Sequence, residues 1–253
     1  MNCSLMATFL LPFLPHYTPK IVMTEFIAPP CDEQISILYQ DEHLLLINKP
    51  SGLLSLSGKN PLNKDSVHFR LVQDFPSATL VHRLDFGTSG IMLVALNKSI
   101  NGLLTKQFQD KTIIKNYHAT LYGHVSKELE ASAVINAAIA KDTDNFPYMK
   151  ICNETGKVAL SEFEVIERGQ WQVSADKGDL VPVTKVRFKP IMGRTHQLRI
   201  HSQHIGHPIL GCDLYCNQVS QDLAPRLLLH ASYLRFIHPV SLESFEINCE
   251  LPF

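Results

Sequence analysis

The sequence predicts an α+β fold, mainly an antiparallel β-sheet with flanking helices. Short apolar or alternating runs recur along the chain, separated by turn residues rather than by long helical stretches. Helical periodicity is confined to two segments. Hydrophobic residues make up 45% and charged residues 19%, enough apolar material for a packed core. At 253 residues the chain can form one substantial domain, or two subdomains sharing a core, and no linker divides it.

Residues 1–34 carry Pro12, Pro15, Pro19, Pro29 and Pro30 and read as a disordered leader, with translation starting at either Met1 or Met23. The catalytic domain is expected over 35–253. Ser36–Asn48 gives two apolar runs around Gln40-Asp41-Glu42, a hairpin pattern punctuated by Lys49-Pro50-Ser51-Gly52. Leu53–Leu56 resumes an apolar run and Gly58–Asp65 is a polar loop. Leu80–Asp85 enters Gly87-Thr88-Ser89-Gly90, and Ile91–Leu96 suits a buried strand. Ile47, Leu54, Ile91, Leu93 and Val94 are expected core positions.

Ser99–Gln109 places Ile100, Leu103, Leu104 and Phe108 on one helical face, with Ser99 as expected N-cap. Tyr117–Tyr122 reads as a strand. Ser161–Ile166 and Thr184–Lys189 alternate; the latter sets Lys185, Arg187 and Lys189 against Val186 and Phe188. Thr195–Ile205 reads as a helix stopped by Gly206 and Pro208, and Leu227–Ile237 and Ser244–Leu251 are the last strands.

The net charge of -1 argues against a general nucleic-acid coat and leaves room for a local basic groove. Six scattered cysteines lack the density of a secreted disulfide framework, so a reducing, cytoplasmic location is expected. Cys212, Cys216 and His207 could approach a zinc set, but structural thiols are the favoured reading. Leu5–Leu14 is apolar, yet it lacks a preceding Lys or Arg and is too short to span a bilayer. No membrane association is expected.

From Leu180 to Cys212 there is no Asp or Glu, while Lys185, Arg187, Lys189, Arg194 and Arg199 fall there. That suits a phosphate-bearing ligand, or equally a solvated strand whose acidic partners lie elsewhere. Of the four histidines in this stretch only His201 and His204 share a helical face, and no Glu lies between them as in HExxH, so metal is disfavoured. His82-Arg83-Leu84-Asp85 is a dense polar cluster beside an apolar strand. On residue chemistry alone it is an ion pair or a lone catalytic Asp.

His82–Gly90 (HRLDFGTSG) resembles the HRLDxxTSG segment of the RluA-type pseudouridine synthase family. Ile47–Gly52 (INKPSG), Lys115–Ala119 (KNYHA), Gly193–His201 (GRTHQLRIH), Gly206–Gly211 (GHPILG) and Leu227–Ala231 (LLLHA) are similar to further family motifs in the expected order. Glu154–Lys157 (ETGK) and Pro225–Ala231 look like the subgroup that serves both an rRNA and a tRNA target. Ile114 and the weakly basic Thr143–Lys150 depart from the family pattern and bear on substrate rather than on reaction.

The resemblance implies a pseudouridine synthase fold with a central catalytic cleft, isomerising uridines of a structured RNA (an rRNA or tRNA stem-loop) as a monomer, without cofactor or metal. It implies Asp85 as catalytic carboxylate and Arg199 as its cation. Tyr117 would stack on the target uracil and take the C5 proton late. Arg83 would fill the stack left by the extruded base, and Lys185, Arg187, Lys189 and Arg194 would hold phosphates. Rival readings are a single-substrate synthase, a non-catalytic RNA-binding protein of the same fold, and a two-carboxylate hydrolase, which would need a second acidic residue in a motif.

Overall fold

The computed structural model describes residues 26–173, 179–216 and 220–253. The hairpin forms as β1 (Ser36–Gln40) and β2 (Leu44–Lys49), its turn fastened by the Asp41 carboxylate, which accepts from the N–H groups of His43 and Leu44. Then come α1 (Val67–Asp74), β3 (Thr79–Leu80), β4 (Ser89–Ala95), α2 (Lys98–Gln109) and β5 (Ile114–Tyr122). A short helix α3 (Lys127–Ser132) and three-residue strands β6 (Val134–Asn136), β7 (Ile139–Lys141) and β8 (Met149–Ile151) precede the long β9 (Leu160–Gln172) and β10 (Leu180–Pro190). The chain ends with α4 (Gln197–His204), β11 (Leu229–Ile237) and β12 (Ser244–Asn248).

The main sheet runs β1-β2-β4-β11-β5-β10-β9-β6, with β3 added to β4 and β12 to β11, while β7 and β8 pair separately. Its pairings are antiparallel except at the centre, where β4 and β11 run parallel for two residue pairs, Ser89–His230 and Gly90–Ala231. This seam requires glycine. Gly90 sits at φ +111°, and a Cβ there would stand 2.3 Å from the Ala231 carbonyl oxygen.

Each half of the sheet carries its own core. On β2 and β4, Leu44, Leu46, Ile91 and Leu93 pack with Ile100 and Leu104 of α2, while Leu45, Ile47, Met92 and Val94 pack with Val67 and Leu71 of α1. Both faces are covered, which explains the unbroken apolar run of β4. Each such fully buried side chain contributes about 1.5–3 kcal/mol. In the other half, Val186 and Phe188 of β10 pack with Ala119 and Leu121 of β5 and Leu198 and Ile200 of α4. The α+β fold and its mainly antiparallel sheet are as expected from sequence.

Several local expectations need correction. Helix α2 is capped by Asn97, whose side chain accepts from the Ile100 N–H, not by Ser99. Leu53 rather than Leu54 is buried. Helices α1 and α3 were not expected; α1 buries only Val67 and Leu71, and α3 buries nothing.

Of the expected leader, residues 1–25 lie outside the described residues, including Leu5–Leu14 and Met23. From Phe26 on it has no regular secondary structure but is fastened to the domain. Asn63 bonds the Phe26 carbonyl and the Ala28 N–H, Arg70 donates to the carbonyls of Cys31 and Glu33, and the Phe26 ring meets Phe86 edge-on at 5.4 Å.

Candidate active site

Asp85 stands in the loop between β3 and β4, just before the seam, and its backbone oxygen closes a turn by accepting from Thr88 N–H. The INKPSG segment and Ser55, three residues beyond it, supply the donors that hold this loop. Ser55 Oγ donates to the Leu84 carbonyl, Lys49 Nζ and Gly52 N–H to that of Phe86, and Ser51 Oγ to that of Gly87. Lys49 is fully buried, and its ammonium also donates to the Pro50 carbonyl at 2.8 Å. Burial pushes this lysine down to about 7, against the opposing charges of Cys31 and Asp85. On the other side His82 Nε2 accepts from the Leu93 N–H at 3.0 Å. Burial, and then the nearby charge of Lys115, pushes His82 down to about 3, so the ring is neutral and serves as an acceptor.

Arg199 reaches the same place from α4, in the other half of the molecule. Its side chain is 4% exposed, and Nη1 lies 3.9 Å from the Asp85 carboxylate. It has closer partners. Nε and Nη2 both donate to Cys212 Sγ at 3.4 Å, Nη2 also bonds Asp213, and the guanidinium sits over the Tyr215 ring at 5.4 Å. Burial opposes the charge, but Cys212, Asp213 and Asp85 together hold Arg199 above its ordinary value. Asp85 therefore meets a guanidinium fixed by other groups, across a gap wider than a hydrogen bond.

Tyr117 comes from β5, with Ala231 and Phe188 as its cross-strand partners. Burial first, and the Asp85 charge second, push its phenol above the ordinary tyrosine value. It is a poor proton acceptor in this state, and its ring is better suited to stacking. Three residues from three elements and both halves of the sheet thus meet at the seam.

The other sequence-predicted residues divide. Arg83 is exposed and makes no ion pair among the described residues, so Asp85 is not neutralised by its neighbour in sequence. Arg194 donates to the Val158 carbonyl on the approach to α4. Lys185, Arg187 and Lys189 lie elsewhere. Phe188 pairs with Tyr117, so period-2 alternation turns these three to the opposite sheet face, where they meet Glu167, Glu164 and Glu162 of β9. Expected to hold RNA phosphates, these three cations stand on the sheet face opposite Tyr117, each paired with a glutamate. The acid-free stretch has its acids on the neighbouring strand.

The sequence reading missed Asp213, Tyr215 and His196. Tyr215 accepts from the Met149 N–H at 2.7 Å and bonds His196 Nδ1 at 2.9 Å, tying β8 to the bed of Arg199. Asp213 is the first acidic residue after the acid-free run, two positions beyond the Gly206–Gly211 motif, and that was its only signal. Cys212 is occupied by Arg199, and His207 Nδ1 bonds the Tyr122 carbonyl, so the two do not meet as ligands.

Two carboxylates around one arginine would by themselves also suit a hydrolase. Comparison with known proteins decides between the classes. A family model described as RNA pseudouridylate synthase matches residues 43–204. The chain is 42% identical over 217 residues to the Dual-specificity RNA pseudouridine synthase RluA of Yersinia pestis, covering 86% of this chain and 99% of that one. It is 44% identical over 211 residues to the protein of the same name from Escherichia coli strain K12, covering 83% and 90%. Among solved structures, Human RNA Pseudouridylate Synthase Domain Containing 1 superposes with a TM-score of 0.69 at 34% identity, covering 89% of this chain and 86% of that one. The chain, with Asp85 at its central seam, belongs to the RNA pseudouridylate synthase family.

Proposed function

We propose that this synthase uses Asp85 as its catalytic carboxylate on stem-loop uridines of both rRNA and tRNA, acting as a cytoplasmic monomer without a cofactor. The observation that carries the reading is the convergence of Asp85, Tyr117 and the clamped Arg199 at the seam. Isomerisation breaks the N1–C1′ bond, turns the uracil and joins C5 to C1′, with the C5 proton released. It transfers no electrons to an outside acceptor and needs no group donor. It needs one positioned carboxylate and walls that retain the detached base.

In this reading Arg199 keeps a positive charge facing Asp85, and Tyr117 stacks on the extruded uracil. Arg83, exposed two residues from Asp85, takes the place the base leaves in the stem, since a guanidinium plane stacks well on neighbouring bases. The dual substrate rests on the similarity to the two relatives whose names state dual specificity.

The test is a transcriptome-wide map. Purified protein is incubated with total RNA from a strain lacking the gene, and pseudouridine is located by carbodiimide-based sequencing. New sites in both RNA classes with wild type, and none with Asp85→Asn, are expected. Equal activity of the variant overturns the Asp85 assignment. Sites in a single RNA class favour the single-substrate reading, and no new site overturns the function.

A further inference from the structure

We infer that Lys115 is a phosphate-binding residue, its ammonium taking a phosphodiester oxygen of the RNA backbone beside the target uridine. The inference rests on the reading that an extruded uridine reacts at Asp85, and adds a contact to it.

Lys115 lies two residues before Tyr117 on β5, so strand alternation puts both side chains on the same face. It is half-buried, yet among the described residues its ammonium has no hydrogen-bond acceptor and no carboxylate within ion-pair distance. The ammonium lies over the Phe108 ring, 5.6 Å from its centre.

Other lysines differ. Lys49 is buried deeper but donates to two carbonyls, and Lys185 and Lys189 are exposed and paired with glutamates. A desolvated cation without a counter-charge is costly, and burial accordingly lowers the Lys115 pKa. Such a group gains most when an anion arrives.

The position says which anion. A Cβ at Gly193 would stand 3.5 Å from Lys115 Nζ, so the ammonium lies against the turn that leads into α4 and Arg199. Its charge is also felt by His82, the residue next to Arg83. Lys115 thus sits between two segments that form the site. Bases and riboses are neutral near pH 7, and phosphodiesters are the anions RNA can bring there.

The experiment uses a synthetic stem-loop that wild type converts, carrying a neutral methylphosphonate at one linkage at a time around the target uridine. Wild type is expected to lose about 10–100-fold in kcat/KM at one linkage. Lys115→Met should show a loss of similar size on unmodified RNA and no further loss at that linkage. The slope of log affinity against log salt should fall by about 0.7–0.9. Because the variant removes a half-buried cation without a counter-charge, its thermal midpoint should hold or rise, which separates lost binding from lost fold. Lys115→Arg should keep the salt slope. Unchanged linkage sensitivity and salt slope in Lys115→Met overturn the role of Lys115 alone. A wild type inactive on every RNA overturns the reaction at Asp85, and this contact with it.

Discussion

On the reverse face of the sheet Lys185, Arg187 and Lys189 each meet a glutamate of β9, whereas on the site face Arg83 and Lys115 meet no carboxylate among the described residues. The first set is what a scan of sequence charge finds, because three cations alternate along one strand. Their counter-charges lie 18 to 27 positions earlier and become neighbours only when β9 and β10 pair. In the second set Arg83 reads from sequence as an ion-pair partner of Asp85, and Lys115 stands alone on its strand. Local charge density therefore reports how a strand face is solvated, and the missing partner reports where a polyanion can bind.

The largest effect is expected at Arg199, whose side chain is 4% exposed and whose guanidinium faces Asp85. Arg199→Met would leave Asp85 and Asp213 close together with no positive charge between them. Breaking a buried pair typically costs 3–5 kcal/mol, and the partial exposure of both carboxylates puts the expected loss near the lower bound, about 3 kcal/mol. Single-turnover conversion should fall at least about a hundredfold. Urea unfolding and a rate assay measure the two effects. A stable, active variant would mean that the cation clamped by Cys212 and Asp213 does nothing for Asp85.

How much of this was legible differs between fold and site. The apolar runs of β2 and β4 and the alternation of β10 were plain, because burial on one or both faces writes directly into residue type. Strands β6, β7 and β8 have three residues each, too few for a period to show. At the site, Asp85, Tyr117 and Arg199 could be named from motif resemblance, while residue chemistry alone left Asp85 as possible partner of Arg83. The clamp of Asp213, Cys212 and Tyr215 depends on where the chain returns after α4, which no local pattern encodes. The face occupied by Lys185, Arg187 and Lys189 was half legible. Alternation gave their common side, and only the register with Tyr117 told which side that was.

Acid offers a second, smaller test, because it acts on buried histidines and not on the lysines and arginines of either face. Burial and the charge of Lys115 hold His82 at about 3, and burial and the charge of Arg226 hold His230 at about 4. Both are depressed below the ordinary value of about 6.5, so below that pH the unfolded chain binds protons that the fold refuses. The stability they confer is complete above pH 6.5 and is lost as the pH falls toward 4 and then 3. Each should contribute a slope of about 1.4 kcal/mol per pH unit in that window. Urea midpoints from pH 7 to pH 4.5 would show it, and His82→Asn should lower the slope by about 1.4 kcal/mol per pH unit, the remainder coming from His230 and from His118, His196 and His201, which burial also holds below the ordinary value. A slope unchanged by that substitution would place the acid sensitivity outside the Asp85 loop.

The smallest effect is expected where the sequence looked most like an RNA site. Each pair of the β9–β10 ladder is exposed, with side-chain exposures of 51% and 57% for Lys185 and Glu167, and such pairs are worth about 0–1 kcal/mol. Salt screens them further. The triple variant Lys185→Gln, Arg187→Gln and Lys189→Gln should therefore unfold within about 1–2 kcal/mol of wild type and convert RNA within about twofold. The decisive reading is the salt dependence of RNA affinity. Three lost phosphate contacts would lower the slope by about 2–3, whereas three lost protein ion pairs should leave it where it was. The single change Lys115→Met is expected to move that slope more than all three together. If the ladder variant moves it more, RNA wraps onto the reverse face, and the pairing with β9 is a resting arrangement that the substrate exchanges for its own phosphates.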